Sequence, residues 1–173
     1  GRELVLRFVS FLIFAREGYK VNMDTWLSNA MRVINLLPNL DQAELKKIYT
    51  NSEPPIINVT SIDEIRESFY LAMERCDMLF DGHAFRKSLP GDDRKTPINK
   101  SLFEAWGVFL VSLSKEEFEQ VIKYKELLYL KYRELLDDNE FGSLISRHSA
   151  MPSSVMERYK KISNLVHEVI QGL

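Results

Sequence analysis

Cysteine is almost absent from this chain. Cys76 is the single cysteine among 173 residues, so neither an intramolecular disulfide nor a cysteine-based zinc or iron–sulfur site can form within it. The three histidines show no pair at metal-ligand spacing, and the sequence predicts no metal centre. This sparse cysteine usage suits a reducing compartment, and we expect a cytoplasmic protein.

Glycine and proline are also scarce, with seven and six residues. Their scarcity argues against disorder, collagen and a loop-rich all-β fold. The chain contains no glycine-rich phosphate loop, no nucleophile elbow and no His-Glu-x-x-His pattern. We therefore predict no catalytic residues and no cofactor for this chain.

Long apolar runs and an excess of one charge are missing as well. The longest apolar run, from Leu4 to Ala15, has 12 residues and is interrupted by Arg7 and Ser10, whereas a bilayer span needs about 20. We expect no membrane partner. The net charge of −2 argues against a surface that is basic throughout, but it allows a local basic patch.

Helical periodicity dominates what is present, and it predicts an all-α, compact bundle of about seven or eight helices in a single domain, 1–173. Three Ser/Glu pairs have the spacing of a capping box: Ser61 with Glu64, Ser114 with Glu117, and Ser154 with Glu157. Asp24, Asp41 and Asn99 are further predicted caps, and Gly18 is predicted to end the first helix with left-handed backbone. The predicted helices span about 2–17, 24–37, 41–49, 61–81, 100–113, 114–136, one or two turns in 140–147, and 154–170. The best strand candidate, 56–59, is short and follows two prolines.

One segment between helices concentrates positive charge, and we call it the basic loop (His83–Lys100). It contains two acidic residues, Asp92 and Asp93, and five basic ones: Arg86, Lys87, Arg94, Lys95 and Lys100. One interpretation is a contact for phosphate or for an acidic partner surface. The other is a solvated loop in which Arg86 pairs with a carboxylate of a neighbouring helix. In both, Phe85 is expected to anchor the loop.

Two further segments allow alternative interpretations. The first helix is apolar nearly all the way round, which fits a central helix of the bundle or one that also docks on an upstream domain. Cys76 lies on the apolar stripe of the fourth helix and is expected to be a core residue rather than a nucleophile.

Five segments in order carry a resemblance to a known family. They are RELVLRFVSFLI, TWLSNAM, IDEIRESFYLAMERCDMLFDGHAFR, PINKSLFEAWGVFL and FGSLISRHSAMPSSVMERYKKISNLVHEVI. Together they resemble the helical C-terminal half of a large group of bacterial proteins of unknown function. The best-known relative of that group is the S half of the GmrSD modification-dependent restriction enzymes. Recurrent positions of the family match Arg7, Phe85-Arg86, Asn99-Lys100 and Arg158.

The resemblance implies a role for the chain within a longer protein. In the family, an N-terminal ParB/sulfiredoxin-like domain carries an Asp-Gly-Gln-Gln-Arg signature linked to nucleotide hydrolysis, and some members add an HNH nuclease domain. Neither occurs in this sequence. The resemblance then implies a non-catalytic, C-terminal helical domain of a nucleotide-dependent nuclease or phage-defence protein, a domain that contacts nucleic acid or the catalytic domain. Its implied partners are the missing N-terminal domain, DNA and a second copy of the chain. The alternative is a protein–protein interaction module with no nucleic-acid role.

Overall fold

Helices form the regular structure of this protein, as the hydrophobic periodicity predicts. The computed structural model describes residues 1–20 and 22–173, and in that part of the chain β-pairing is limited to two isolated bridges, so the all-α prediction is confirmed. The described helices are α1 (Arg2–Ile13), α2 (Met23–Leu36), α3 (Gln42–Ile48), α4 (Ile62–Phe80), α5 (Lys100–Ser112), α6 (Lys115–Lys123), α7 (Lys125–Asp137), α8 (Asn139–Leu144) and α9 (Pro152–Ile170). The predicted helix 114–136 is two helices, because the backbone leaves helical geometry at Tyr124.

The helices divide between two compact units, Gly1–Tyr70 and Leu71–Leu173, and α4 runs from the first into the second. In the first unit α1 packs against α2, and α2 packs against α3. Its core is an aromatic cluster with ring centroids 4.9–5.6 Å apart: Phe11, Phe14, Tyr19 and Trp26. The single domain predicted over 1–173 stays a prediction.

The second unit is arranged around α9, which packs against α5, α6, α7 and α8. Helix α5 is buried along most of its length, from Ser101 to Leu110. Trp106 lies at the centre, with its indole N–H donating to the Tyr132 hydroxyl at 3.0 Å and its ring 4.8 Å from that of Phe80. The tryptophan thus has the partner that a buried indole needs.

Several predicted helix caps are confirmed. Ser114 and Glu117 form a complete capping box, with each side chain accepting from the other's backbone N–H. Asp41 accepts from the backbone N–H of Ala43 at 2.8 Å, and Asn99 accepts from that of Leu102 at 3.0 Å. Ser61 accepts from the Glu64 amide at 3.3 Å, which is half of the predicted box.

Two predicted N-terminal caps are wrong. Helix α2 is capped by Asn22, whose side chain accepts from the Thr25 amide, and Asp24 lies inside the first turn. Helix α9 begins at Pro152, two residues before Ser154, because proline already has helical φ and lacks the N–H that a first turn leaves unpaired. Ser154 is buried instead.

The predicted end of the first helix is wrong as well. Helix α1 stops at Ile13 because Phe14 is extended and forms an antiparallel bridge with Ile57. The strand candidate 56–59 therefore forms no strand, and its β-pairing in the described residues is this single bridge at Ile57. Gly18 lies in a short 3-10 turn and lacks the predicted left-handed backbone. A Cβ there would lie 2.5 Å from the Cβ of Pro55, so close packing requires the glycine.

Candidate nucleic-acid interface

The two ends of the basic loop are held together by its backbone. Phe85 is buried and has a φ of 62°, and its ring packs against that of Phe103 in α5, with the centroids 4.4 Å apart and the planes tilted by 44°. Its carbonyl accepts from the Asn99 amide at 2.8 Å, and Arg86 bridges to Ile98. A left-handed non-glycine residue persists only where surrounding contacts determine it. Phe85 therefore anchors the loop, as the sequence predicts.

Interlocked hydroxyl groups fix the middle of the loop. Thr96 Oγ1 accepts from the backbone amides of Lys87 and Ser88 at 2.9 and 3.1 Å. Ser88 Oγ accepts from the Thr96 amide at 3.0 Å and lies 2.9 Å from His83 Nδ1. A serine beside a histidine can be a nucleophile with its base. His83 and Ser88 are both buried, and the Ser88 hydroxyl already accepts from the Thr96 amide. The contact between His83 and Ser88 therefore stabilises the loop.

Asp92 ties the loop to helix α7. Both of its carboxylate oxygens accept from Arg133 Nη2, at 2.7 and 2.6 Å, and one also accepts from the Leu89 amide at 2.8 Å. The Leu89 amide and the Arg133 guanidinium lower the pKa of the Asp92 carboxyl below its usual range. Asp92 therefore stays ionised and oriented towards α7.

The predicted contact residues occupy different environments. Lys87, Arg94, Lys95 and Lys100 are exposed, the last of them at the first residue of α5. Arg86 is half-buried, and its Nη1 donates to the carbonyl of Thr96. The structure gives Arg86 no carboxylate partner among the described residues, and the acceptor is instead a carbonyl oxygen of the loop itself.

Lys95 folds back over the start of the loop. Its Nζ lies so close to Gly82 that a Cβ at that position would overlap it. Lys87 directly precedes Ser88, and Arg94 lies two residues before Thr96; neither cation has an acidic partner in the part of the chain that the structure describes. The three side chains are thus exposed cations on one ordered loop.

Sequence reasoning missed Arg133, which completes this site. It lies 41 residues after Asp92 and follows Tyr132, a residue of the predicted buried side of its helix. No local pattern pairs a helix residue with a loop carboxylate over such a distance. The only signal for Arg133 in the sequence was its position next to Tyr132, which was predicted to be buried.

The remaining chemistry-bearing residues are structural or scattered. Cys76 is fully buried, and burial raises the pKa of its thiol. Over residues 1–20 and 22–173, no three His, Cys, Asp or Glu side chains lie close enough together to hold a metal ion. No helix in the same residues is long and apolar enough to cross a bilayer.

Comparison of the chain with protein-family models, curated proteins and solved structures finds no match in any of the three.

Proposed function

We propose that this chain is a non-catalytic helical domain of a GmrSD-like, nucleotide-dependent nuclease of bacterial phage defence, and that its basic loop contacts the phosphate backbone of nucleic acid. The order of the five sequence segments supports the family. The observation that carries the contact is the set of exposed cations, Lys87, Arg94 and Lys95, on a loop whose backbone is fixed by internal hydrogen bonds.

An ordered loop favours phosphate binding for a physical reason. Binding to a flexible segment loses affinity to the entropy of ordering it, and that loss is smaller where the backbone is already fixed. A carboxylate beside the cations repels phosphate unless a positive charge neutralises it. Of the two carboxylates in the basic loop, Asp92 is neutralised by Arg133, so only Asp93 keeps its full negative charge there.

The salt dependence of DNA binding tests this contact. Each lysine or arginine on a duplex phosphate lowers the slope of log affinity against log salt by about 0.9. We expect the triple variant Lys87→Ala, Arg94→Ala, Lys95→Ala to bind a random 30-base-pair duplex more weakly and to flatten the slope by up to about three units. Fluorescence anisotropy from low to physiological salt measures both quantities.

A charge-matched variant provides the control. Lys115, Arg147 and Lys160 are exposed in the same unit. Their replacement by alanine removes two lysines and one arginine, as the loop variant does, but from outside the loop. We expect this variant to keep the wild-type slope. Equal slopes for both triple variants would exclude the loop as a phosphate contact. No DNA binding by the wild type at low salt would favour the protein–protein interaction module.

The non-catalytic assignment has its own test. We expect the purified chain to hydrolyse neither nucleoside triphosphates nor DNA, because the resemblance places the catalytic signature in the family's N-terminal domain, and that signature does not occur in this sequence. Mixing the chain with that domain should restore nucleotide-dependent cleavage if the two are partners. Cleavage by the chain alone, lost on Arg86→Ala, would overturn the assignment.

A further inference from the structure

The first unit contains a cavity that the proposed function does not use. It has a volume of about 420 Å³, within the range of small-molecule sites. One wall is a polar face of α2, a second is the end of α3, and the segment 50–55 closes the third. Six polar or aromatic residues of the lining are Lys20, Trp26, Asn29, Arg32, Tyr49 and Glu53.

Two wall residues have buried donors without acceptors. The Trp26 indole Nε1 and the Tyr49 hydroxyl are shielded from solvent, and neither has a hydrogen-bond partner in the described part of the chain. Trp26 is 2% exposed. An unsatisfied buried polar group is rare in a native protein, because its desolvation is uncompensated, and it calls for an explanation.

Desolvation also keeps the phenol of Tyr49 protonated. Burial raises the pKa of Tyr49 to about 12, so at neutral pH its hydroxyl carries a proton. The indole N–H is a donor only, and the protonated phenol can donate as well. Both groups therefore lack an acceptor oxygen.

The charged residues of the lining are more often positive than negative. Arg32 lies two turns along α2 from Thr25 and Trp26, and Lys20 precedes that helix, against one acidic residue, Glu53. Both cations are exposed, and no carboxylate of the described residues pairs with either. A guanidinium with free N–H groups is the preferred partner of carboxylate and phosphate oxygens.

The third wall differs from the segment that follows it in its hydrogen bonding. Residues 50–55 make no hydrogen bond to other described residues, whereas the segment that follows is held by the Ala15 amide on the Ile56 carbonyl at 2.8 Å. The residues 50–54 are exposed. A shift of residues 50–54 that admits a ligand oxygen to the indole and the phenol would therefore break no hydrogen bond of the described residues.

We propose that this cavity binds a small organic anion, whose phosphate or carboxylate group is held by Arg32 and Lys20 while its oxygens accept from Trp26 and Tyr49. Glu53 and Asn29 then face the uncharged part of the ligand and suit hydroxyl or amine groups on it. Loss of DNA binding and loss of this site are separate outcomes, because the cavity and the basic loop belong to different units.

The two tryptophans allow a direct test by nitrogen-15 NMR. Trp26 is a lining residue of the cavity, whereas the Trp106 indole donates to Tyr132 in the second unit and serves as an internal control. Phenyl phosphate and benzoate, titrated separately, distinguish the two anion types, and benzyl alcohol is the neutral control. We expect a saturable downfield shift of the Trp26 indole proton with one anion or both, and none for Trp106.

Arg32→Gln and the control Lys46→Gln remove one positive charge each from exposed positions of the first unit, and Lys46 is outside the cavity. We expect Arg32→Gln to weaken anion binding at least about tenfold and Lys46→Gln to leave it within about twofold. The proposal is overturned if neither anion shifts Trp26 up to about 10 mM, well above a millimolar Kd. Equal binding by benzyl alcohol, or unchanged binding in Arg32→Gln, would also overturn it.

Discussion

Arg158 of α9 and Glu104 of α5 form an ion pair that is almost completely shielded from water. Their side chains are 0% and 3% exposed, and Arg158 Nη2 donates to Glu104 Oε1. The other terminal nitrogen of Arg158 donates to the carbonyls of Leu144 and Ser149. One guanidinium therefore joins α5, α9, the last residue of α8 and the segment between α8 and α9.

Removing one member of this pair should destabilise the chain strongly. Glu104→Gln keeps the size of the side chain and leaves a buried guanidinium without its counter-charge, and we expect a loss of about 3 kcal/mol in the free energy of unfolding. Urea denaturation followed by circular dichroism measures it. The double variant Glu104→Leu, Arg158→Met should lie closer to wild type than Glu104→Leu alone, because it removes both buried charges. A double variant at least as unstable as that single one would contradict this account.

Arg158 also shows what sequence reasoning can and cannot reach. The resemblance marks Arg158 as a recurrent position, yet its partner lies 54 residues away and no periodic pattern connects them. Asp92 and Arg133 present the same problem on the surface. Such pairs depend on how helices and loops pack against one another, and the sequence of either segment alone does not predict that packing.

Features that depend on neighbours within one turn were predictable. The capping box of Ser114 and Glu117 and the cap at Asn99 follow from local hydrogen bonding. Predictions of helix ends failed where contact with a distant segment, or a neighbouring residue that favours another start, overrode the local pattern. Phe14 ends α1 early to pair with Ile57, and Pro152 starts α9 ahead of the serine predicted to cap it. At the basic loop, composition identified the cations but could not identify the hydrogen bonds that order them.

The carboxylate of Asp92 should make the order of the basic loop depend on pH. Its pKa in the folded chain lies below the unfolded value of roughly 3.9, so its contribution to stability is present above that pH and is lost as pH falls through the folded pKa. We expect Asp92→Asn to speed hydrogen exchange of the Leu89 amide, which loses a charged acceptor, at pH 6–7. Once intrinsic exchange is corrected for, variant and wild type should converge as pH falls through the folded pKa of Asp92.

Asp93→Asn is the matched control for that measurement. Asp93 is exposed, lies next to Asp92 and has no cationic partner in the described part of the chain. Its replacement removes the same charge and should leave Leu89 protection unchanged. If both variants speed exchange equally, the net charge of the loop determines its order and the contact with Arg133 does not.

Cys76 should make the stability of the chain fall at alkaline pH. The thiol is fully buried and its pKa in the folded chain is raised, so only the unfolded chain loses the proton above roughly pH 8.5. The free energy of unfolding should then decrease by up to about 1.4 kcal/mol per pH unit between about pH 9 and 10. The buried tyrosines add to the decrease only above about pH 10, their unfolded value.

Cys76→Ala isolates this effect, since alanine does not titrate. The variant starts from a lower stability because it leaves a small cavity, but its free energy of unfolding should stay nearly flat from pH 8 to pH 9.5 while that of wild type declines. Urea denaturation at each pH, under reducing conditions, gives the two curves. Native Cys76 should also resist a thiol reagent at pH 8 and react fully in denaturant, because attack requires an accessible thiolate. Parallel curves, or rapid reaction of the native thiol, would place Cys76 in contact with water and contradict its burial in the core.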